Sequence, residues 1–133
     1  MSSRILVTAA IIEENGKYLI TQRMDGFWEF PGGGVESYDA SHEDCLEREI
    51  SEELGIMVKA NNLFLEFDYD YKDGPNIHLI GFNCDHIAGK IQHLSVQKHK
   101  WVYLNEIMNY VFLSADYNFI EKLRELPRIN SFS

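Results

Sequence analysis

The sequence predicts a mixed α/β fold of the α+β kind, a mixed β-sheet sandwiched between α-helices. Three observations carry this: two apolar strands joined by a tight turn near the start, a helical periodicity mid-chain, and later strand-like runs closed by a second helix. Ile5 to Ile12 and Tyr18 to Gln22 are strand-like, and Asn15-Gly16 between them is a dipeptide favoured in tight hairpin turns. From about Ser41 to Leu54 the pattern turns helical, because Leu46, Ile50 and Leu54 are spaced by four and Gly55 follows as a stop. Phe64 to Tyr71, Ile77 to Cys84 and Trp101 to Leu104 read as strands, with Asp73-Gly74-Pro75-Asn76 turning between the first two. A last helix is expected from about Asp116 to Leu126, ended by Pro127, with Arg128 to Ser133 as a frayed tail.

The chain has 133 residues, which suits one domain over 1–133 with one core. Hydrophobic residues make up 45% of it, too many for a disordered chain. The net charge of −9 argues against a nucleic-acid polymer as partner, since duplex phosphates would be repelled at long range. The apolar run Ile5 to Ile12 is too short to span a bilayer, so no membrane partner is expected and the chain is read as cytoplasmic. Two cysteines, Cys45 and Cys84, form no CxxC pair and suit a reducing compartment, and the five histidines show no HExxH spacing. An acidic protein that binds a free nucleotide needs a local device for the like charge, and metal ions held by carboxylates supply one. Either a monomer or a homodimer is compatible with the sequence.

Arg48-Glu49-Ile50-Ser51-Glu52-Glu53-Leu54-Gly55-Ile56 is the informative segment. At about 100° per residue, Glu49, Glu52 and Glu53 share an arc roughly 100° wide. Glu53 falls beside the apolar stripe of Leu46 and Ile50 rather than opposite it. Like charges crowded at a core edge are costly unless a cation sits among them. Oxygen ligands without sulfur favour magnesium, with manganese as the alternative. An acidic helix face in plain contact with solvent is the competing reading, and the position of Glu53 speaks against it. Ahead of the helix, Gly32, Gly33 and Gly34 permit close backbone approach to a ligand, and such a loop can offer N–H groups to phosphate at a helix start.

Gly34 followed by Arg48-Glu49-Ile50-x-Glu52-Glu53-x-Gly55-Ile56 resembles the Nudix box, a loop–helix–loop motif of the form Gly-x5-Glu-x7-Arg-Glu-U-x-Glu-Glu-x-Gly-U with U aliphatic. Gln22-Arg23, Trp28 to Gly34, Trp101 to Leu104 and Leu113 to Asp116 extend the resemblance over most of the chain, and it is strongest to the MutT branch, the nucleoside triphosphate pyrophosphohydrolases. The resemblance implies the Nudix fold and a magnesium-dependent reaction: water attacks a phosphorus of a nucleoside triphosphate, normal or oxidised, and releases a nucleoside monophosphate and pyrophosphate. It implies that the Gly33 carbonyl, Glu49, Glu52 and Glu53 hold one to three metal ions. Arg23, Gly33 and Gly34 would meet substrate, and Arg48 would act as a charge partner that orients the loop.

Two positions depart from the family pattern. The first Glu of the box falls at Ala40, with Asp39 one residue away, and a late Glu six residues before Trp101 falls at Ser95, with Gln97 nearby. Asp116 stands where MutT-type enzymes place a residue that reads the base edge, although an Asp opening a helix is most often a cap. Trp28 is a candidate to stack on a base, together with Phe27, Phe67, Tyr69 and His78, against the competing reading that strand aromatics are core. Two other readings stand beside the leading one: a dinucleoside polyphosphate or nucleotide-sugar hydrolase, and a nucleotide-binding module in which Ala40 and Ser95 have cost catalysis.

Overall fold

The computed structural model describes residues 4–127, so the tail expected at Arg128 to Ser133 lies outside the described residues. Strand β1 (Ile5–Glu14) and strand β2 (Lys17–Gln22) form the expected hairpin, and Asn15 (φ 52°) and Gly16 (φ 81°) both take the left-handed conformation that this turn requires. β1 pairs with β2 only near the turn, at Glu13–Tyr18 and Glu14–Lys17. Beyond it β1 runs parallel to β5 (Asn76–Ala88), which pairs antiparallel with β4 (Met57–Asp70). β2 in turn pairs with a two-residue β3 (Trp28–Glu29) on one side and with β6 (Lys98–Tyr103) on the other. The sheet is therefore mixed, as the sequence predicts, with strand path β3-β2-β1-β5-β4 and β6 attached to β2.

Helices cover the two faces, and the period of two along each strand decides which side chain meets which helix. Helix α1 (His42–Leu54) packs Leu46, Ile50 and Leu54 against Ala10, Ile12, Leu19, Ile80 and Phe82. Helix α2 (Tyr117–Glu125) packs Phe119, Ile120 and Leu123 against the alternate residues, among them Ile11, Ile20 and Leu79. Each fully buried Leu or Ile here is worth about 1.5–3 kcal/mol. α1 starts where the Ser41 hydroxyl accepts the Asp44 N–H at 3.0 Å, and ends at Gly55 in the left-handed conformation (φ 66°), whose N–H reaches the Ser51 carbonyl. Two further carbonyls of its last turn are met by the 92–95 segment: Gln92 N–H donates to Leu54 O, and the N–H groups of Leu94 and Ser95 donate to Glu53 O.

Several boundaries differ from the expectation. β3 is new, and β4 starts at Met57 rather than near Phe64. Two 3-10 turns, Leu104–Asn109 and Ser114–Asp116, precede α2, so the last helix begins at Tyr117 and Asp116 closes the turn before it.

Candidate active site

A cleft of about 880 Å³ opens where the Gly32–Gly34 segment, the end of α1, the tip of the β4–β5 hairpin and the Ser114–Asp116 turn meet. The glycine segment does not lead into the helix start. It runs beside β1, with Val35 N–H on Leu6 O, Thr8 N–H on Gly33 O and Ala10 N–H on Pro31 O. The start of α1 is capped by Ser41 and lies apart from the cleft, so the expected phosphate seat on that terminus is replaced by the opposite end of the helix. That end carries Glu49, Glu52 and Glu53 with no basic residue in the last turn. Helix dipole and carboxylates both place negative potential there, which favours a bound cation.

Gly33 lies against Glu49 so closely that a methyl group at its Cα would overlap the Glu49 carboxylate. Its carbonyl, expected to ligate metal, accepts both the N–H (2.8 Å) and the hydroxyl (3.0 Å) of Thr8. Two donors fill the two lone pairs of a carbonyl oxygen, so in this arrangement Gly33 O is not free to ligate.

Glu53 takes a backbone hydrogen bond from Gly32, while its Oε1 is buried and accepts none. Burial, and then the nearby charges of Glu29 and Glu49, push its pKa up to about 8. Burial also raises Glu49. The long Arg48 side chain reaches the carboxylates, so that Nη1 lies 3.1 Å from Glu49 Oε1 and 3.0 Å from Glu52 Oε1. Among the described residues no three acidic, cysteine or histidine side chains converge as a preformed metal cage. Glu53 is turned inward, and Arg48 Nη1 bridges one oxygen each of Glu49 and Glu52. The donor set still suits a divalent cation, with three carboxylates at the negative end of a helix and one buried oxygen lacking any partner.

Arg23 lines the cleft, 3.1 Å from Asp25 and 3.8 Å from Glu29. Asp116 is 5% exposed and also lines it. It makes no helix cap; its Oδ2 accepts the Phe30 N–H at 2.8 Å, a contact across 86 residues of sequence. Burial raises its pKa well above the ordinary carboxylate value. Trp28 departs from expectation: it sits in the α2-side core, edge-on to Tyr110, and does not line the cleft. Its neighbour Glu29 points the other way, because successive strand residues face opposite sides. Of the other aromatic candidates only Tyr69 lines the cleft. Phe27 is exposed at the β2–β3 connection, Phe67 packs on Phe119, and His78 is held by Asp68 (2.6 Å) and Glu66 (2.8 Å).

Glu29 is the functional candidate that the sequence reading did not single out. Its side chain is 19% exposed, and burial lifts its pKa to about 7 even with Arg23 beside it. It interacts electrostatically with Glu53 and with Asp116, so it joins the helix carboxylates to the far wall of the cleft. The sequence signal that could have found it is the alternation Trp28-in, Glu29-opposite just before the glycine segment.

At the two departures, Ala40 is exposed while Asp39 turns inward to Arg48, and Ser95 is exposed with its backbone N–H at the end of α1. The Cys45 thiol is buried beside the Gly34 carbonyl (3.4 Å), in keeping with a packing role.

Comparison with known proteins accords with this geometry. The NUDIX domain model matches residues 3–123. The CTP pyrophosphohydrolase of Escherichia coli (strain K12) is 35% identical over 127 residues, covering 92% of this chain and 93% of that protein. The 8-oxo-dGTP diphosphatase of Buchnera aphidicola subsp. Schizaphis graminum is 29% identical over 125 residues, covering 91% and 93%. Among solved structures, the Escherichia coli ORF135 protein superposes with TM-score 0.83 at 35% identity over 93% of this chain and 91% of that one. A MutT structure from work on Aliivibrio salmonicida and Vibrio cholerae gives 0.78 at 30% identity over 93% and 98%. With Arg48 to Leu54 of the box on the last turns of α1, Gly55 capping it and Glu53 lining the cleft, this chain belongs to the Nudix family.

Proposed function

We propose that this MutT-like Nudix hydrolase cleaves a nucleoside triphosphate, normal or oxidised, to the monophosphate and pyrophosphate, and that its base carries an exocyclic amine, as cytosine and guanine do. The observation that carries this reading is the shared cleft. It is lined by Glu53 from the acidic end of α1, by Arg23 and Glu29, and by the buried acceptor Asp116. One oxygen of Asp116 is taken by Phe30 N–H, which leaves the other to meet a base edge.

Glu49, Glu52 and Glu53 would hold magnesium, or manganese, and the Gly33 carbonyl would join them only by giving up the Thr8 hydroxyl. A divalent ion supplies charge neutralisation at phosphate and acidifies a water. Arg23 pairs with phosphate oxygens, the Gly33–Gly34 backbone lets the chain of phosphates pass close by, and a helix carboxylate takes the proton of the attacking water. The oxygen of water bonds to phosphorus, the bridging P–O bond breaks, and pyrophosphate leaves. Arg48 holds the loop and the carboxylates in register. The relatives' names support a small-nucleotide substrate.

Asp116→Ala is expected to raise KM for CTP and 8-oxo-dGTP by about tenfold or more, the scale of one hydrogen bond to a charged group. UTP and dTTP should change little. Initial rates over that panel, with a thermal melt of the same variant, check this. A uniform loss across all four nucleotides would leave Asp116 a structural tie to Phe30.

A further inference from the structure

The Arg48 guanidinium carries five N–H groups, and all three of its nitrogens are engaged, Nη2 also lying 3.9 Å from the Cys45 thiol. Nε donates to Asp39 Oδ1 at 2.8 Å, and Nη2 to Asp39 Oδ2 at 2.9 Å and to Gly34 O at 3.3 Å. Nη1 is left to span Glu49 Oε1 and Glu52 Oε1. Asp39 is itself fixed: its side chain is 3% exposed, its Oδ2 accepts the Glu36 N–H at 2.8 Å, and its own N–H returns to Glu36 O at 3.0 Å. The tight turn from Glu36 to Asp39 brings this carboxylate inward while Ala40, the next residue, stays at the surface.

We propose that Asp39 is a positioning residue for the metal-ligating carboxylates, acting one residue ahead of the box position that Ala40 leaves empty. It clamps Arg48 side-on through Nε and Nη2, so that a single nitrogen steadies one oxygen of Glu49 and one of Glu52. Among the described residues no hydrogen bond reaches the second oxygen of either, so both remain free to ligate. Without the clamp, all of the Arg48 fork is available to Glu49 and Glu52. A cation held bidentately by those carboxylates then competes with the metal for them. This rests on the metal reading above, and it separates Asp39 from Arg48's own contact with the ligands.

The test is a manganese titration followed by electron paramagnetic resonance on the full chain without nucleotide, with wild type, Asp39→Asn, Asp39→Ala, and Asp39→Ala combined with Ala40→Glu. Removal of a partner that orients a ligand typically weakens metal affinity about 10–100-fold. Asp39→Ala is expected in that range and Asp39→Asn, which keeps the shape and folds if Asp39→Ala does not, in between. The added glutamate should recover most of the loss. Magnesium-dependent rates should show a higher metal requirement with kcat at saturating metal changed far less. If the Asp39 variants melt earlier but bind manganese like wild type, Asp39 is only a structural clamp and the proposal falls. Failure of Ala40→Glu to recover affinity would overturn the register-shift part. If wild type itself binds no manganese, the metal reading fails along with it.

Discussion

Glu53→Gln is expected to lower turnover by at least about a hundredfold, the scale of losing a positioned catalytic group, while the protein folds as well as wild type or better. Gln keeps the size and the hydrogen bond from Gly32 but cannot carry charge. In the native chain Glu53 Oε1 is buried without a partner and sits among Glu29, Glu49 and Glu52. Substitution therefore removes a buried carboxyl whose ionisation the metal-free fold disfavours, while deleting a ligand and proton acceptor from the working one. The opposite directions of the two effects are diagnostic. Rates under saturating nucleotide and magnesium, with melts of the same preparations, decide it. A variant with native turnover would remove Glu53 from the machinery.

The same buried acids make stability depend on pH in a definite direction. Glu29 and Glu53 titrate at about 7 and about 8 in the fold, against an ordinary value of 4.5, and Asp116 is raised as well. A group whose folded pKa is raised contributes stability that is complete below its unfolded pKa and lost as pH rises through the folded one. Each unit of displacement corresponds to about 1.4 kcal/mol, so the metal-free protein should lose stability steadily from about pH 5 to pH 8.5, by at least about 5 °C in Tm. Asp25 and Asp39 are lowered by their arginine partners, and their contributions disappear only in acid, outside this window. Magnesium should restore more Tm at pH 8.5 than at pH 5.5, because a cation offsets the charge that pH has created. Melts in chelator and in magnesium at both pH values check this. A metal-free Tm that rises across the range would mean that these carboxyls are not buried together.

Most of the fold could be read from the sequence where one residue type dominates a local choice. Asn15-Gly16 could only turn, Gly55 could only end a helix in the left-handed conformation, and Leu46, Ile50 and Leu54 marked the buried face of α1. β3 escaped because two residues have no period. The first half of β4 escaped because Lys59, Asn61 and Asn62 are exposed on an edge strand and look like loop. The helix carboxylates were legible for the same reason as the helix, since spacing alone puts them on one arc. Partners distant in sequence were not. Asp116 reads as a base-edge residue or a cap, and only the fold brings Phe30 N–H to it; the Thr8 donors on Gly33 O and the place of Trp28 in the core are set in the same way by the folded sheet. Nothing local marks Glu29, because its burial arises only when β2, α1 and the Asp116 turn come together.

The most direct test of the account is product analysis on a nucleotide panel of CTP, dCTP, GTP, 8-oxo-dGTP, UTP and dTTP, with and without magnesium. The account predicts nucleoside monophosphate and pyrophosphate in equal amounts, only with the metal present, fastest on bases that carry an exocyclic amine, and nearly abolished in Glu53→Gln. Release of orthophosphate with a nucleoside diphosphate, hydrolysis that ignores both metal and Glu53, or binding of these nucleotides with no turnover would contradict it.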